Sequence, residues 1–329
     1  MPILARGRRR IRYELDCPPD VPANGPAYVL VNGLTQYIEL WEPYRHMLAT
    51  KGFRVATFDL LGQGISDKPS LHITQDEQVA VLHDLIAELG GGPIFLAGIS
   101  FGGVIALRYA IAHSDTIDGL VAISSFAELP PQLYLLGSVM RTGLILGGTS
   151  FLMDMLFPMN LSNEWLAQQM HALELAKRRG WLLNDVYALQ NLMESFLEFE
   201  PMTKDLASIS VPTMILNGEF DFLTPRALQE SLRQHIPDSE LVFVPRAYHA
   251  FTLEKPVLTA DYLARFGRDV IAGRWRGKKT VWIGPEEPGG EFTEFPADFD
   301  HMRAIPVRRV PAPQPAKPEA TPSPEPAQS

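Results

Sequence analysis

A repeated switch of period narrows the fold more than anything else in this chain. Short apolar runs rich in Val, Ile and Phe are each followed by helical spacing. "YVLVNG" (28–33) precedes "WEPYRHMLATKG", "FRVATFDL" (53–60) precedes "TQDEQVAVLHDLIAEL", and "PIFLAG" (93–98) precedes "VIALRYAIAH". Next come "DGLVAISS" (118–125), "VPTMILNG" (211–218) with "TPRALQESLRQHI", and "ELVFVP" (240–245) with "EKPVLTADYLARFGRDVI". Strands joined by helices of this length pair in parallel through crossovers, and a parallel sheet needs helices on both faces. The chain therefore reads as α/β, with a doubly wound, mostly parallel sheet.

The alternation stops between residues 127 and 208, where helical patterns take over, including "SNEWLAQQMHALELAKRRG" with Ser162 or Asn163 as N-cap. Core segments 1–126 and 209–275 thus flank a helical cap at 127–208, inserted between two core strands, and a C-terminal extension follows at 276–329. In that extension the pattern dissolves: residues 281–307 are expected at most to pack back locally, and roughly the last 20 residues are Pro/Ala-rich and expected to be disordered. Seven of the eleven methionines fall between Met140 and Met202. Flexible thioethers suit a surface that repacks around apolar ligands, so Met153 and Met193 are candidate substrate contacts; the plainer reading packs them in the cap's own core.

The most apolar stretch, "LYLLGSVMRTGLILGGTSFLMDMLFPM", is broken by Arg141 and Asp154. It lacks the uncharged run of about 18 residues that a membrane span needs, so it reads as a buried or interfacial helix without stable membrane insertion. A net charge of −9 argues against a nucleic-acid surface. The basic run "RGRRRIR" (6–12) fits an edge strand kept from pairing with other chains. The single cysteine, Cys17, excludes an internal disulfide framework. No apolar run follows the basic N-terminus, so cytoplasm is the default compartment.

Chemistry concentrates at "GISFGG" (98–103), where an apolar strand stops and a helix begins. A serine at that corner is presented in a strained backbone, with glycines allowing neighbouring backbone to come close. The helix N-terminus behind Ser100 favours developing negative charge, and the Phe101 N–H supplies one oxyanion donor. The second donor is expected from Leu34 N–H in "VNGL" (31–34), and loss of one such donor costs about 3 to 4 kcal/mol. A serine hydroxyl needs a base, and the base needs an acid to orient it. "LNGEFDFLTP" ends one predicted strand with Asp221, and "VPRAYHAFTLEKP" ends the next with His249. The order Ser, Asp, His places all three at the carboxyl ends of strands, where open α/β sheets build their sites. Glu219 and Glu128 are rival acids on neighbouring loops, and Asp59 is expected to order its own loop. His46, His83, His113, His171 and His235 lie in or beside helical patterns and read as packing or surface residues.

No cofactor is called for. "GQG" (62–64) lacks the third glycine of a dinucleotide fingerprint, and neither a phosphate loop nor HExxH nor clustered Cys/His occurs.

With these pieces in order, the chain resembles the α/β-hydrolase fold family over roughly residues 9–272. The matching stretches are "VNGL", "FDLLGQGISDKP" (58–69), "GISFGG", "NGEFD" and "YHAF". The resemblance implies a cofactor-independent serine hydrolase that cleaves a carboxylic ester, thioester or lactone of an apolar small molecule through an acyl-enzyme. Two departures stand out. Asn32 replaces the usual histidine, so its side chain is expected to line the oxyanion hole and contact substrate, and Ala247 and Tyr248 stand where a glycine usually precedes His249. A narrower similarity, carried by "LVNG", "HITQDEQVAVLHDLIAEL" and "ILNGEFDFLTPRA", is to hydroxyalkanoyloxyalkanoate synthases and hydroxyacyl carrier-protein transacylases. It implies acyl transfer to a hydroxyl or thiol. A non-catalytic apolar-ligand module is the remaining reading, and the full set of strand-end residues speaks against it.

Overall fold

The computed structural model describes residues 2–70, 72–196 and 198–295. Strands β1 (Ile3–Arg6) and β2 (Arg9–Asp16) form an antiparallel hairpin around Gly7, which takes φ 57°. Next alternate β3 (Ala27–Val31), α1 (Glu42–Ala49), β4 (Arg54–Phe58), α2 (Gln75–Glu88), β5 (Ile94–Ile99), α3 (Phe101–His113) and β6 (Gly119–Ile123). Three helices interrupt: α4 (Pro131–Asn160), broken at Gly148 with φ 70°, then α5 (Asn163–Leu183) and α6 (Val186–Glu194). The core resumes with β7 (Thr213–Gly218), α7 (Arg226–His235), β8 (Ser239–Val244), α8 (Phe251–Glu254), α9 (Pro256–Ile271), β9 (Lys278–Ile283) and β10 (Thr293–Phe295).

These strands form one sheet in the order β1-β2-β4-β3-β5-β6-β7-β8-β9-β10. Pairing is parallel from β4 through β9 and antiparallel only toward the edges. Every residue of β3, β4, β5, β6 and β7 is buried, which accounts for their near-continuous apolar runs. Successive side chains point to opposite faces. Val29 and Val31 therefore pack with α2 and α3, while Tyr28 and Leu30 pack with α1 and α9.

Local signals set the ends of several elements. Thr74 and Glu77 form a reciprocal capping box at the start of α2, and the Ser162 hydroxyl accepts from Trp165 N at the start of α5. The basic run is tied down: Arg6 pairs with Asp84, Arg9 with Glu77, and Arg12 with both Glu14 and Glu39.

One segment departs from expectation. The pattern does not dissolve after residue 275, because β9 adds to the core sheet parallel to β8 and β10 pairs with β9. The Pro/Ala-rich tail, with its expected disorder, lies outside the described residues. The β8–β9 seam holds Glu240, whose carboxyl is pushed up to about 7 by burial, against hydrogen bonds from Thr280 and Trp282 and with like charge from Asp238 and Asp269 adding to the rise. The unfolded value lies near 4.5. Stability from the neutral carboxyl is thus full below that value and lost as pH rises through about 7. Glu240→Gln is expected to stabilise the fold on the order of 1 kcal/mol at about pH 8 and to change it little at about pH 4. Urea melts of both proteins at the two pH values check this, and an equal difference at both would refute it.

Candidate active site

Strand β5 delivers Ser100 to the carboxyl rim of the sheet, and α3 begins at the next residue. The corner is tight: a Cβ on Gly98 would come 2.3 Å from Gly102 O, and one on Gly102 would come 2.4 Å from Asn32 O. Ser100 has φ 53° and ψ −116°, a conformation costing on the order of 1–3 kcal/mol for a residue with a Cβ. Its neighbours hold it there. Ser100 N donates to Ile123 O at 2.8 Å, and the Ser125 hydroxyl donates to Ser100 O at 3.1 Å. The Ser100 side chain makes no cap hydrogen bond to α3, so its hydroxyl is not spent on the helix.

His249 and Asp221 come from the loops after β8 and β7. His249 Nδ1 lies 2.9 Å from Asp221 Oδ2, and both residues are buried. Asp221 Oδ1 accepts from Leu223 N and Thr224 N at 3.0 and 2.9 Å, and Oδ2 also accepts from Thr224 Oγ1 at 2.7 Å. Burial opposes ionisation of this carboxyl, but the His249 charge and hydrogen bond, with those from Thr224, hold it below the usual carboxylate value. The turn-capping and imidazole-binding roles of Asp221 thus use different lone pairs of one group. The rival acids are occupied elsewhere: Glu219 accepts from Arg246 N at 2.9 Å, and Glu128 from Thr203 Oγ1 at 2.6 Å.

The missing glycine before His249 is compensated on the neighbouring strand. A Cβ on Gly218, at the end of β7, would lie 2.3 Å from Tyr248 O, so the close approach is made from that side. Arg246 takes the left-handed turn at φ 51°, and Ala247 O accepts from Phe220 N at 2.8 Å.

The loop after β3 carries Leu34. Gly33 N donates to Gln36 Oε1 at 2.9 Å, Gln63 Nε2 to Gly33 O at 3.3 Å, and Asn184 Nδ2 from the helical insertion to Thr35 O at 3.0 Å. No hydrogen bond to Leu34 N occurs among the described residues. Phe101 N opens α3, where the first amides have no partner within the helix. Asn32 departs from its expected place. Its Nδ2 donates to Phe58 O at 3.0 Å and its Oδ1 accepts from Trp41 Nε1 at 2.6 Å, so the fully buried amide braces the loop and does not line the cavity.

Ser100 and His249 line one cavity of about 430 Å³, with Leu34 and Phe101 in the same wall. The volume is that of a small-molecule site, and the lining is overwhelmingly apolar. Met153 and Met193 line it together with Met140, whereas Met170 is exposed and Met202 packs in the main core. Among the described residues no group of three or more His, Cys, Asp or Glu converges as a metal site.

Three supporting residues escaped sequence reasoning. Thr224 holds Asp221, the Ser124 hydroxyl donates to His249 O at 3.0 Å, and Ser125 holds Ser100. The adjacent serines at the end of β6 were the only visible signal, and a hydroxyl pair at a strand end is too common to mark them.

The profile of a family described as serine aminopeptidase, S33, matches residues 25–256. An AB hydrolase superfamily protein, YisY, of Bacillus subtilis is 29% identical over 247 residues, covering 70% of this chain and 88% of that protein. A pimeloyl-[acyl-carrier protein] methyl ester esterase of Nitrosomonas europaea is 22% identical over 244 residues, covering 72% and 94%. Among solved structures, MGS-M2, an alpha/beta hydrolase enzyme from a Medee basin deep-sea metagenome library, superposes with a TM-score of 0.73 at 26% identity over 80% of this chain and 96% of that one.

Proposed function

Since the chain belongs to the serine aminopeptidase S33 family of α/β hydrolases, we propose that it cleaves the carboxylic ester, thioester or lactone bond of an apolar small molecule through an acyl-enzyme on Ser100. The observation that carries this reading is the His249–Asp221 pair at 2.9 Å, whose imidazole shares one apolar cavity with Ser100. The esterase name of the relative from Nitrosomonas europaea points the same way.

In this reading Ser100 Oγ attacks the substrate carbonyl carbon as its proton passes to His249 Nε2. Asp221 keeps Nδ1–H directed away from the serine and stabilises the imidazolium. The oxyanion accepts from the Leu34 and Phe101 amides. His249 then protonates the leaving oxygen or sulfur, and the same steps with water as nucleophile release the acid and restore Ser100. The proposed cap encloses the acyl chain among side chains such as Met140, Met153 and Met193.

A series of p-nitrophenyl esters from acetate to dodecanoate tests the substrate class. Each methylene buried in the cavity contributes about 0.8 kcal/mol, so kcat/KM is expected to rise about fourfold per methylene until the cavity is full. A profile that is flat or falls from acetate onward would refute an acyl-binding cavity. Mass spectrometry of a quenched reaction is expected to find the acyl group on the peptide containing Ser100.

A further inference from the structure

The outer surface of the helical insertion carries an apolar face that the active-site reading does not use. By length and composition α4 could cross a membrane even with Arg141 and Asp154 in it, contrary to the expectation from its charges, yet only 28% of an 18-residue apolar window in it is buried. A core helix of that composition would be mostly covered. Leu135, Val139 and Leu146 are 62%, 56% and 82% exposed, and their spacing puts them on one side of the helix. No exposed charged residue falls between Pro131 and Phe151.

Helix α5, which packs against α4, carries exposed apolar residues of its own with a different chemistry among them. Met170, Leu175, Trp181 and Leu182 are all more than 60% exposed. Among them stand Arg178 and Arg179, both exposed and neither with an ion-pair partner among the described residues. Of the exposed acids on α5, Glu174 is paired with Lys177, which also binds Asp154 at 3.0 Å, and Glu164 lies in the first turn, at the far end of the helix from Arg178 and Arg179. Exposed guanidinium groups without an ion-pair partner, beside exposed Trp and Leu, are the pattern of a helix lying in the interface of a bilayer, with cations at the phosphates and apolar side chains at the acyl boundary.

We propose that the outer faces of α4 and α5 dock the protein on the surface of an anionic lipid bilayer. A spanning α4 is ruled out by its neighbours. Arg141 pairs with Glu194, and Leu144 and Leu152 pack in the main core. The inner sides of the same helices line the cavity, through Gly137 on α4 and Leu173 on α5, so docking sets the cavity wall against the lipid.

Cosedimentation of the full chain with vesicles of phosphatidylcholine, with and without phosphatidylglycerol, tests the proposal without reading any chemistry. The protein is expected to partition onto the anionic vesicles and to be released by salt. Arg178→Gln with Arg179→Gln is expected to lower the partition coefficient about 25-fold, each arginine contributing about a fivefold factor at an anionic surface. Trp181→Ser with Leu182→Ser is expected to abolish binding. None of these four side chains lines the cavity, so both variants keep wild-type turnover of a soluble acetate ester, which also shows that they fold. No partitioning of the wild type, or binding unchanged in both variants, would overturn the proposal. So would a concentration-dependent dimer in sedimentation velocity that the Trp181 and Leu182 substitutions dissolve, which would assign the face to a second copy.

Discussion

Ser100→Ala is expected to abolish labelling by a fluorophosphonate probe and to lower kcat on the order of 10⁶-fold, leaving only what the oxyanion donors and binding supply. The expectation is this large because in the proposed mechanism His249 and Asp221 act on Oγ alone, and its removal leaves them nothing to activate. The fold should not notice the change: alanine keeps the Cβ, and Ser100 Oγ makes no cap hydrogen bond to lose. A companion variant separates chemistry from strain. With φ at 53° the serine pays for its position in backbone energy, and glycine does not. Ser100→Gly is therefore expected to be as inactive as Ser100→Ala but more stable by about 1 kcal/mol, the relief of strain exceeding the extra entropy of an unfolded glycine. Probe labelling and urea melts on the three proteins read both effects. Labelling that persists in Ser100→Ala would move the nucleophile elsewhere, and a Ser100→Gly variant less stable than Ser100→Ala would remove the strain.

The parts of the site that could be read in advance are those written in short, local patterns. Ser100, Asp221 and His249 each follow an apolar strand, and the parallel topology carries strand ends to one rim whatever the length of chain between them. The residues that hold them are a different matter. Ser124 reaches His249 O across 125 positions, and Asn184 reaches Thr35 O across 149, contacts that no periodicity encodes. Asn32 misled for the same reason: its position beside the expected oxyanion donor was visible, but Trp41 Nε1 and Phe58 O, which take up its side chain, were not. Strand β9 was hidden by its own composition. It opens with Lys278 and Lys279, only Val281 is fully buried, and its register against β8 is irregular between Ser239 and Leu241. A strand next to the sheet's edge and covered in part by solvent loses the continuous apolar run that identified β3 to β8.

Asp221→Asn is expected to lower kcat about 10⁴-fold while leaving the loop folded. In the wild type both carboxylate oxygens only accept: Oδ1 from two backbone amides, and Oδ2 from Thr224 Oγ1 and His249 Nδ1. An asparagine must present an NH₂ at one of these positions. If the NH₂ faced Leu223 N and Thr224 N, two buried backbone donors would lose their acceptor at about 1–3 kcal/mol each. The side chain therefore keeps its carbonyl there and turns the NH₂ toward His249. Facing a donor, Nδ1 must become the acceptor, which shifts the ring proton to Nε2, the nitrogen that has to receive the proton from Ser100. The proposed triad is then intact in outline and blocked in protonation. Glu219→Gln and Glu128→Gln are the controls: each acid is held by a partner outside the site, so each variant is expected to stay within about twofold of wild-type kcat. Steady-state kinetics on the three variants, with melts to show that each is folded, measure the contrast. An Asp221→Asn enzyme as active as wild type, or a Glu128→Gln variant that loses the activity instead, would transfer the orienting role to another carboxylate.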